Sequence, residues 1–392
     1  MTAPLHLWIV TGEESGDQLG AKLVQALRRR LGPERIRFSG VGGHALAREG
    51  VPSLFPMEDI AVMGITAVIG RLPTILDRIR RTAGAVVADR PDGLVIIDSP
   101  DFTHRVAARV RGALPGLPIV DYVSPSVWAW RPGRARKMRS YVDHLLALLP
   151  FEPEAHRRLG GPPTTYVGHP LIERLAELRP APGERRPLGD GPLELLVLPG
   201  SRRSEISRLM APFGEALRLV RERSQRPIRV TLPAVEHLAA EIEARAKAWP
   251  VAPELVRGEA AKWAAFRRAH AALAASGTVT LELGLAGVPM VVAYRVSKPE
   301  ELLKYLITVR SIVLTNLILA ENAVPEYIQH DCTPETLAAA LLPLLGDTPE
   351  RARQAEALAR LDELMRIGDE TPSERSARIV AEVLKAERKK GP

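Results

Sequence analysis

The chain has one cysteine, Cys332, among 392 residues. A lone thiol forms no intrachain disulfide, so a stapled secreted scaffold is excluded and a reducing compartment fits. Aromatic residues make up only 4% of the sequence, and no long Lys/Arg tract occurs. Both absences weaken an RNA-binding reading. No apolar run reaches the ~18 residues that a transmembrane helix needs. The N-terminal MTAPLHLWIVTG is apolar over a shorter stretch and lacks a basic flank, so no secretory leader is expected. CxxC and HExxH are missing and the nine histidines are scattered, so no metal site is expected. The P-loop pattern GxxxxGKS/T is missing too.

What is present is ordinary globular material, 46% hydrophobic and 26% charged. The length suggests two or three domains of roughly 150 residues. A net charge of +8 favours an anionic partner: nucleic acid, a phosphorylated substrate or an acidic membrane surface.

Apolar strands alternate with helical patterns. LHLWIVTG, RIRFSGVG, GLVIID, PIVDYVSP and HLLALLP read as strands of a first domain, with helices such as AKLVQALRRRL between them. Residues 178–192, LRPAPGERRPLGDGP, read as a surface linker. LELLVLPG, IRVTLPA, HAALAAS and PMVVAYRV then read as strands of a second alternation. The expected architecture is α/β with two Rossmann-like domains of parallel sheet, followed by amphipathic helices over about 350–388. Ligands of such sheets bind beyond the carboxyl ends of the strands, and two sheets facing each other would make a cleft.

Several segments at strand ends carry groups suited to chemistry. Glu13, Ser15 and Asp17 in GEESGD suit sugar hydroxyls, or form a tight turn with helix caps. GVGGHA at 40–45 matches GxGxxA, but it follows the second strand and no acid about 20 residues on closes a strand, so NAD is not expected. Asp98 and Asp101 in DSPDF follow an apolar strand. Asp98 closes the strand and is favoured as a general base, with Asp101 capping the next helix; two capping residues is the other reading. Tyr122, Trp128 and Trp130 sit within nine positions, ahead of Arg131, Arg134, Arg136, Lys137 and Arg139. That segment is either a loop plug or the wall of a pocket for something apolar and anionic. MGITAVIGRLPTIL at 63–76, flanked by arginines, is either a buried helix or an exposed lipid-facing patch. Gly200, Ser201 and Arg202 open one helix after a strand, and Ser276, Gly277 and Thr278 another, as diphosphate sites do. Glu282, one turn further on, suits ribose hydroxyls.

Together these blocks resemble the lipid-A-disaccharide synthase family, inverting glycosyltransferases of the GT-B type. The resemblance spans the chain: GEESGD, GVGG, MG at 63–64, DSPDF, YVSPSVWAWR, LPFE, VGHPL, LPGSRRSEI, SGTVTLE, PMVVAYR, TNLILAENAVPE and Gln329. It implies transfer of 2,3-diacylglucosamine from UDP to 2,3-diacylglucosamine 1-phosphate, at the cytoplasmic face of the inner membrane. It implies domains at 1–172 (acceptor and lipid side) and 173–350 (UDP-sugar side), with C-terminal helices over 351–392. Those helices pack back on the first domain or on a neighbour in a homodimer.

Carried onto this chain, the resemblance makes Asp98 the base. It places Gly200, Ser201, Arg202, Ser276, Gly277, Thr278, Glu282, Asn316, Glu326 and Gln329 around the nucleotide and donor sugar. Glu13, Ser15, Asp17, Ser124 and Trp128 become sugar or acceptor contacts. Met63, Ile65, Val68, Ile69, Leu72, Ile75 and Leu76 become a lipid-facing patch on an anionic membrane. It implies no cofactor, the UDP-sugar being the donor substrate, and no nucleic acid partner. Glu14, Thr103 and Thr315 depart from the family's usual alanine, asparagine and proline. Another GT-B enzyme, such as a lipid-linked N-acetylglucosaminyltransferase or a UDP-sugar epimerase, and a non-catalytic basic scaffold are the competing readings.

Overall fold

The computed structural model of the chain describes residues 4–60, 65–297 and 309–390. It contains two compact units. Residues 1–173 and 367–392 form the first, and 174–366 the second.

The first unit holds β1 (Leu5–Thr11), β2 (Ile36–Val41), β3 (Gly93–Ile97), β4 (Ile119–Tyr122), β5 (His144–Ala147) and β6 (Thr164–Tyr166). They pair in parallel in the order β2-β1-β3-β4-β5-β6. The second unit holds β7 (Leu193–Leu198), β8 (Ile228–Ala234), β9 (Glu254–Arg257), β10 (Ala271–Ala275), β11 (Met290–Tyr294) and β12 (Glu326–Ile328). Their order is β12-β11-β10-β7-β8-β9, again parallel. Parallel strands are covered by helices on both faces, so the inner ones are continuous apolar runs. LVII of β3 and LELLVL of β7 are buried throughout. The direction of winding reverses between β1 and β3 in one sheet and between β7 and β10 in the other. Ligands of such sheets bind at these switch points.

Two apolar cores cover the faces of the first sheet. One includes Val10, Ile96, Phe102, Val106 and Ile119. The other includes Ile9, Leu23, Leu27 and Val95, together with Ala377, Val380 and Leu384 from the Pro372–Lys390 helix. A Cβ at Gly93 would meet Leu384 Cδ2 at 2.2 Å, so the bare glycine lets this last helix seat on the sheet. The same helix donates Ser373 N–H and Oγ–H to Glu173 Oε1 at 3.1 and 2.6 Å.

The expected group of C-terminal helices is therefore divided. Residues up to 366 belong to the second unit, where Leu361 and Leu358 are buried, and the final helix completes the first. The stretch expected as a linker, 178–192, is bound to the second unit. Arg185 donates to the carbonyls of Phe266, Ala286 and Gly287 at 3.2, 2.9 and 2.7 Å, neutralising the carbonyl ends of two helices.

In the Ile65–Asp89 helix, Leu72 is exposed, whereas Ile75 and Leu76 are half-buried against the first core. That corrects the placing of Ile75 and Leu76 in an exposed patch: their side of the helix faces protein. Met63, and the side chains of Ile65, Val68 and Ile69, lie outside the described residues. No helix among the described residues is long and apolar enough to cross a membrane.

Candidate active site

The loop after β3 stands at the first switch point. Asp98 and Ser99 have φ of +56° and +46°, two consecutive left-handed residues without glycine. Each such residue costs on the order of 1–3 kcal/mol and persists where its surroundings over-determine it. Thr103 does so here: its buried hydroxyl donates to Asp98 O at 2.7 Å and Ser99 O at 3.1 Å. Gly12 permits the approach, since a Cβ there would lie 2.5 Å from Ser99 Cβ. The result is an elbow that lifts the half-buried Asp98 carboxylate off the strand end. Ser15 Oγ–H donates to Oδ2 at 3.1 Å and Ser99 N–H to Oδ1 at 2.7 Å. Asp101 does not cap the following helix. Its carboxylate is exposed and pairs with Arg134 at 2.8 Å.

Asp17 is buried. Its carboxylate accepts the N–H groups of Gly43, Ala45 and Leu46 at 2.7, 2.7 and 3.1 Å. This corrects its expected role as a sugar contact: it holds the glycine turn after β2. It also leaves that turn's amides without capacity for a pyrophosphate. Glu13 is exposed at the N-cap position of the Glu14–Leu31 helix, and its side chain makes no cap hydrogen bond.

Ser124 is likewise turned inward, with Oγ 2.8 Å from His156 Nε2. Buried there, it is not placed to touch a sugar, against expectation. Trp128 Nε1–H donates to Glu152 Oε1 at 3.1 Å, and its ring stands edge-on to Phe151 at 5.1 Å. What Trp128 presents outward is ring surface. Burial pushes the Glu152 carboxyl up to about 7 and the His156 imidazole down to about 4. Burial also raises the Asp121 carboxyl, partly offset by His104, whose Nε2 lies 3.0 Å from Asp121 Oδ2.

At the second switch point Gly200 has φ of +114°, and a Cβ there would meet Glu205 Oε2 at 2.4 Å. Buried Glu205 accepts the N–H groups of Ser201 and Arg202 at 2.9 and 3.2 Å and Tyr294 Oη–H at 3.2 Å. Those two amides are thus not available to a phosphate, contrary to the expected cradle. Arg202 itself is exposed, its Nη1 3.3 Å from Glu205 Oε1.

Gly277, with φ of +149°, precedes the Thr278–Leu285 helix and is exposed, as is Thr278. Ser276 Oγ–H donates to Ile312 O at 2.6 Å, while Ile312 N–H donates to Glu326 Oε2 at 3.0 Å. Gln329, at φ +54°, accepts Val296 N–H at 2.7 Å. Buried Asn316 exchanges hydrogen bonds with Val324 N–H and C=O at 2.9 and 2.8 Å. Asn316 therefore staples its own loop and is not placed to contact nucleotide. Glu282 is buried, with Lys262 Nζ 3.0 and 2.9 Å from its two oxygens.

Glu205, Glu152 and Lys262 were not singled out from sequence. A capping box usually begins with Ser or Thr, and here Arg202 holds that place. Lys262 lies twenty residues from Glu282 and meets it only through the fold.

A profile of the lipid-A-disaccharide synthetase family matches residues 7–380. The chain belongs to the lipid-A-disaccharide synthase family. The lipid-A-disaccharide synthase of Nitrobacter hamburgensis is 57% identical over 384 residues, covering 98% of this chain and 96% of that protein. Among solved structures, a Staphylococcus aureus MnaA–UDP complex superposes with a TM-score of 0.62 at 12% identity, covering 97% of each chain. Acinetobacter baumannii MurG gives 0.58 at 14% identity, covering 97% of this chain and all of that one. These two likenesses establish the GT-B fold. As a lipid-A-disaccharide synthase family member, the chain is a glycosyltransferase of lipid A synthesis.

Proposed function

We propose that the chain transfers 2,3-diacylglucosamine from its UDP derivative to the 6-hydroxyl of 2,3-diacylglucosamine 1-phosphate, with inversion. The observation that carries this reading is the Asp98 elbow: a half-buried carboxylate on strained backbone at a switch point. Asp98 takes the proton of the acceptor hydroxyl as that oxygen bonds to the anomeric carbon. The bond from that carbon to the UDP oxygen breaks on the opposite side, and its electron pair leaves with UDP. Ser15 and the Ser99 amide orient the carboxylate. Arg202 and the amides at Gly277 and Thr278 receive the growing diphosphate charge. Glu282 holds the ribose hydroxyls, and Glu13 and the Trp128 ring meet sugar or acceptor. Exposed Leu72 and Trp130, the latter stacked by Arg131 at 4.2 Å, contact the anionic cytoplasmic face of the inner membrane.

The test is UDP release from UDP-2,3-diacylglucosamine, with and without acceptor, in EDTA. Acceptor-dependent turnover that ignores the chelator supports the reading and a metal-free route. An enzyme that binds UDP yet stays inert with this pair refutes the substrate assignment. UDP-sugar turnover without acceptor would point to an epimerase-like reaction instead.

A further inference from the structure

Glu282 sits one turn into the Thr278–Leu285 helix, and both of its oxygens face one cation. That cation, Lys262, comes from the Glu259–Arg268 helix. Its Nζ also lies 5.9 and 5.8 Å from the ring centroids of Trp263 and Phe266. Rings at that range attract an ammonium and limit where it can go. The Glu282 side chain is 11% exposed and that of Lys262 26%.

A carboxylate offers about four lone-pair sites, two on each oxygen. One ammonium at 2.9–3.0 Å from both oxygens occupies one site on each. The outer lone pair of each oxygen remains, and the two point to opposite edges of the carboxylate, so the edge turned to the nucleotide can accept one ribose hydroxyl. Without its counter-charge, a carboxylate at this depth would be costly to keep and would be freed to rotate about its last bonds.

We propose that Lys262 is a positioning residue that fixes the Glu282 carboxylate for recognition of a nucleotide ribose hydroxyl. This rests on the nucleotide reading of Glu282 given above. A merely structural tie between the two helices would affect every ligand of the unit alike. A positioning role affects only ligands that carry the hydroxyls.

The experiment is calorimetric titration of wild type, Lys262→Met and Lys262→Gln with UDP and with the dideoxy analogue lacking both ribose hydroxyls. Wild type should prefer UDP. Lys262→Met should lose about tenfold in UDP affinity, the scale of one well-made hydrogen bond, while its affinity for the analogue stays within about twofold. Lys262→Gln keeps an N–H donor group without the charge and should fall between; it serves in place of the Met variant if that one does not fold. Equal weakening toward both ligands, or none toward UDP, overturns the proposal. If wild type itself does not distinguish the two ligands, the ribose reading of Glu282 fails first, and the role of Lys262 with it.

Discussion

After β3 in the first unit, Asp98 rests on two positive-φ residues and receives one hydroxyl and one backbone N–H. After β7 and β10, and at the start of β12, the carboxylates of the second unit are tied into the protein. Glu205 takes two amides and a phenol, Glu282 an ammonium, and Glu326 the Ile312 amide. The two sheets have similar topology and place loops at equivalent switch points. One unit sets an acid on strained backbone; the other ties Glu205 and Glu326 to backbone N–H groups, braces Glu282 with Lys262 and leaves Arg202, Gly277 and Thr278 exposed. The same residue type thus serves differently according to the backbone that carries it and the partners it meets.

The sharpest way to break this contrast is Asp98→Asn. Turnover should fall about a hundredfold to ten-thousandfold, with UDP affinity unchanged. Activity within a few-fold of wild type would make Asp98 a strut like the others. Asp17→Ala leaves three N–H groups without an acceptor and should lower unfolding free energy by about 3 kcal/mol in denaturant titrations. A neutral result would mean that water replaces the carboxylate there. Glu205→Ala should cost about 2 kcal/mol and weaken UDP binding, because the Gly200 turn loses its anchor. Tighter UDP binding would instead identify the carboxylate as an occupant of a phosphate site.

The effect at Glu152 shows only as a change with pH. Burial raises its carboxyl from 4.5 to about 7, so folding takes up a proton between those values and stability falls as pH rises through that window. Glutamine has no such charge. Glu152→Gln should gain on wild type by roughly 1.4 kcal/mol per pH unit across the window. The difference cancels the opposing share of His156, held neutral down to about 4. A flat difference between the two denaturation midpoints would contradict this assignment.

Buried strands such as LVII and LELLVL were legible in the sequence because they are short, almost wholly apolar runs that end at turn residues. The strands that escaped are β6, β9 and β12. TTY, ELVR and EYI are three or four residues long, lie at sheet edges and have no fully buried position. Strand ends and their motifs could be located. Which way each side chain turns could not, because Ser124, Asp17 and Asn316 face partners 32, 26 to 29 and 8 residues away. The elbow was visible only as an acid after an apolar run; its positive φ values come from Thr103 and Gly12, which no pattern links to Asp98.

The first unit is written in two pieces with the whole of the second between them. A ribosome therefore delivers residues 174–366 complete before the helix that closes the first core exists. The second unit can finish folding early in synthesis, while the first waits with the seat at Gly93 uncovered until the last helix emerges. A nascent chain stalled before that helix emerges would hold a finished second sheet and a first sheet still open to proteases and chaperones.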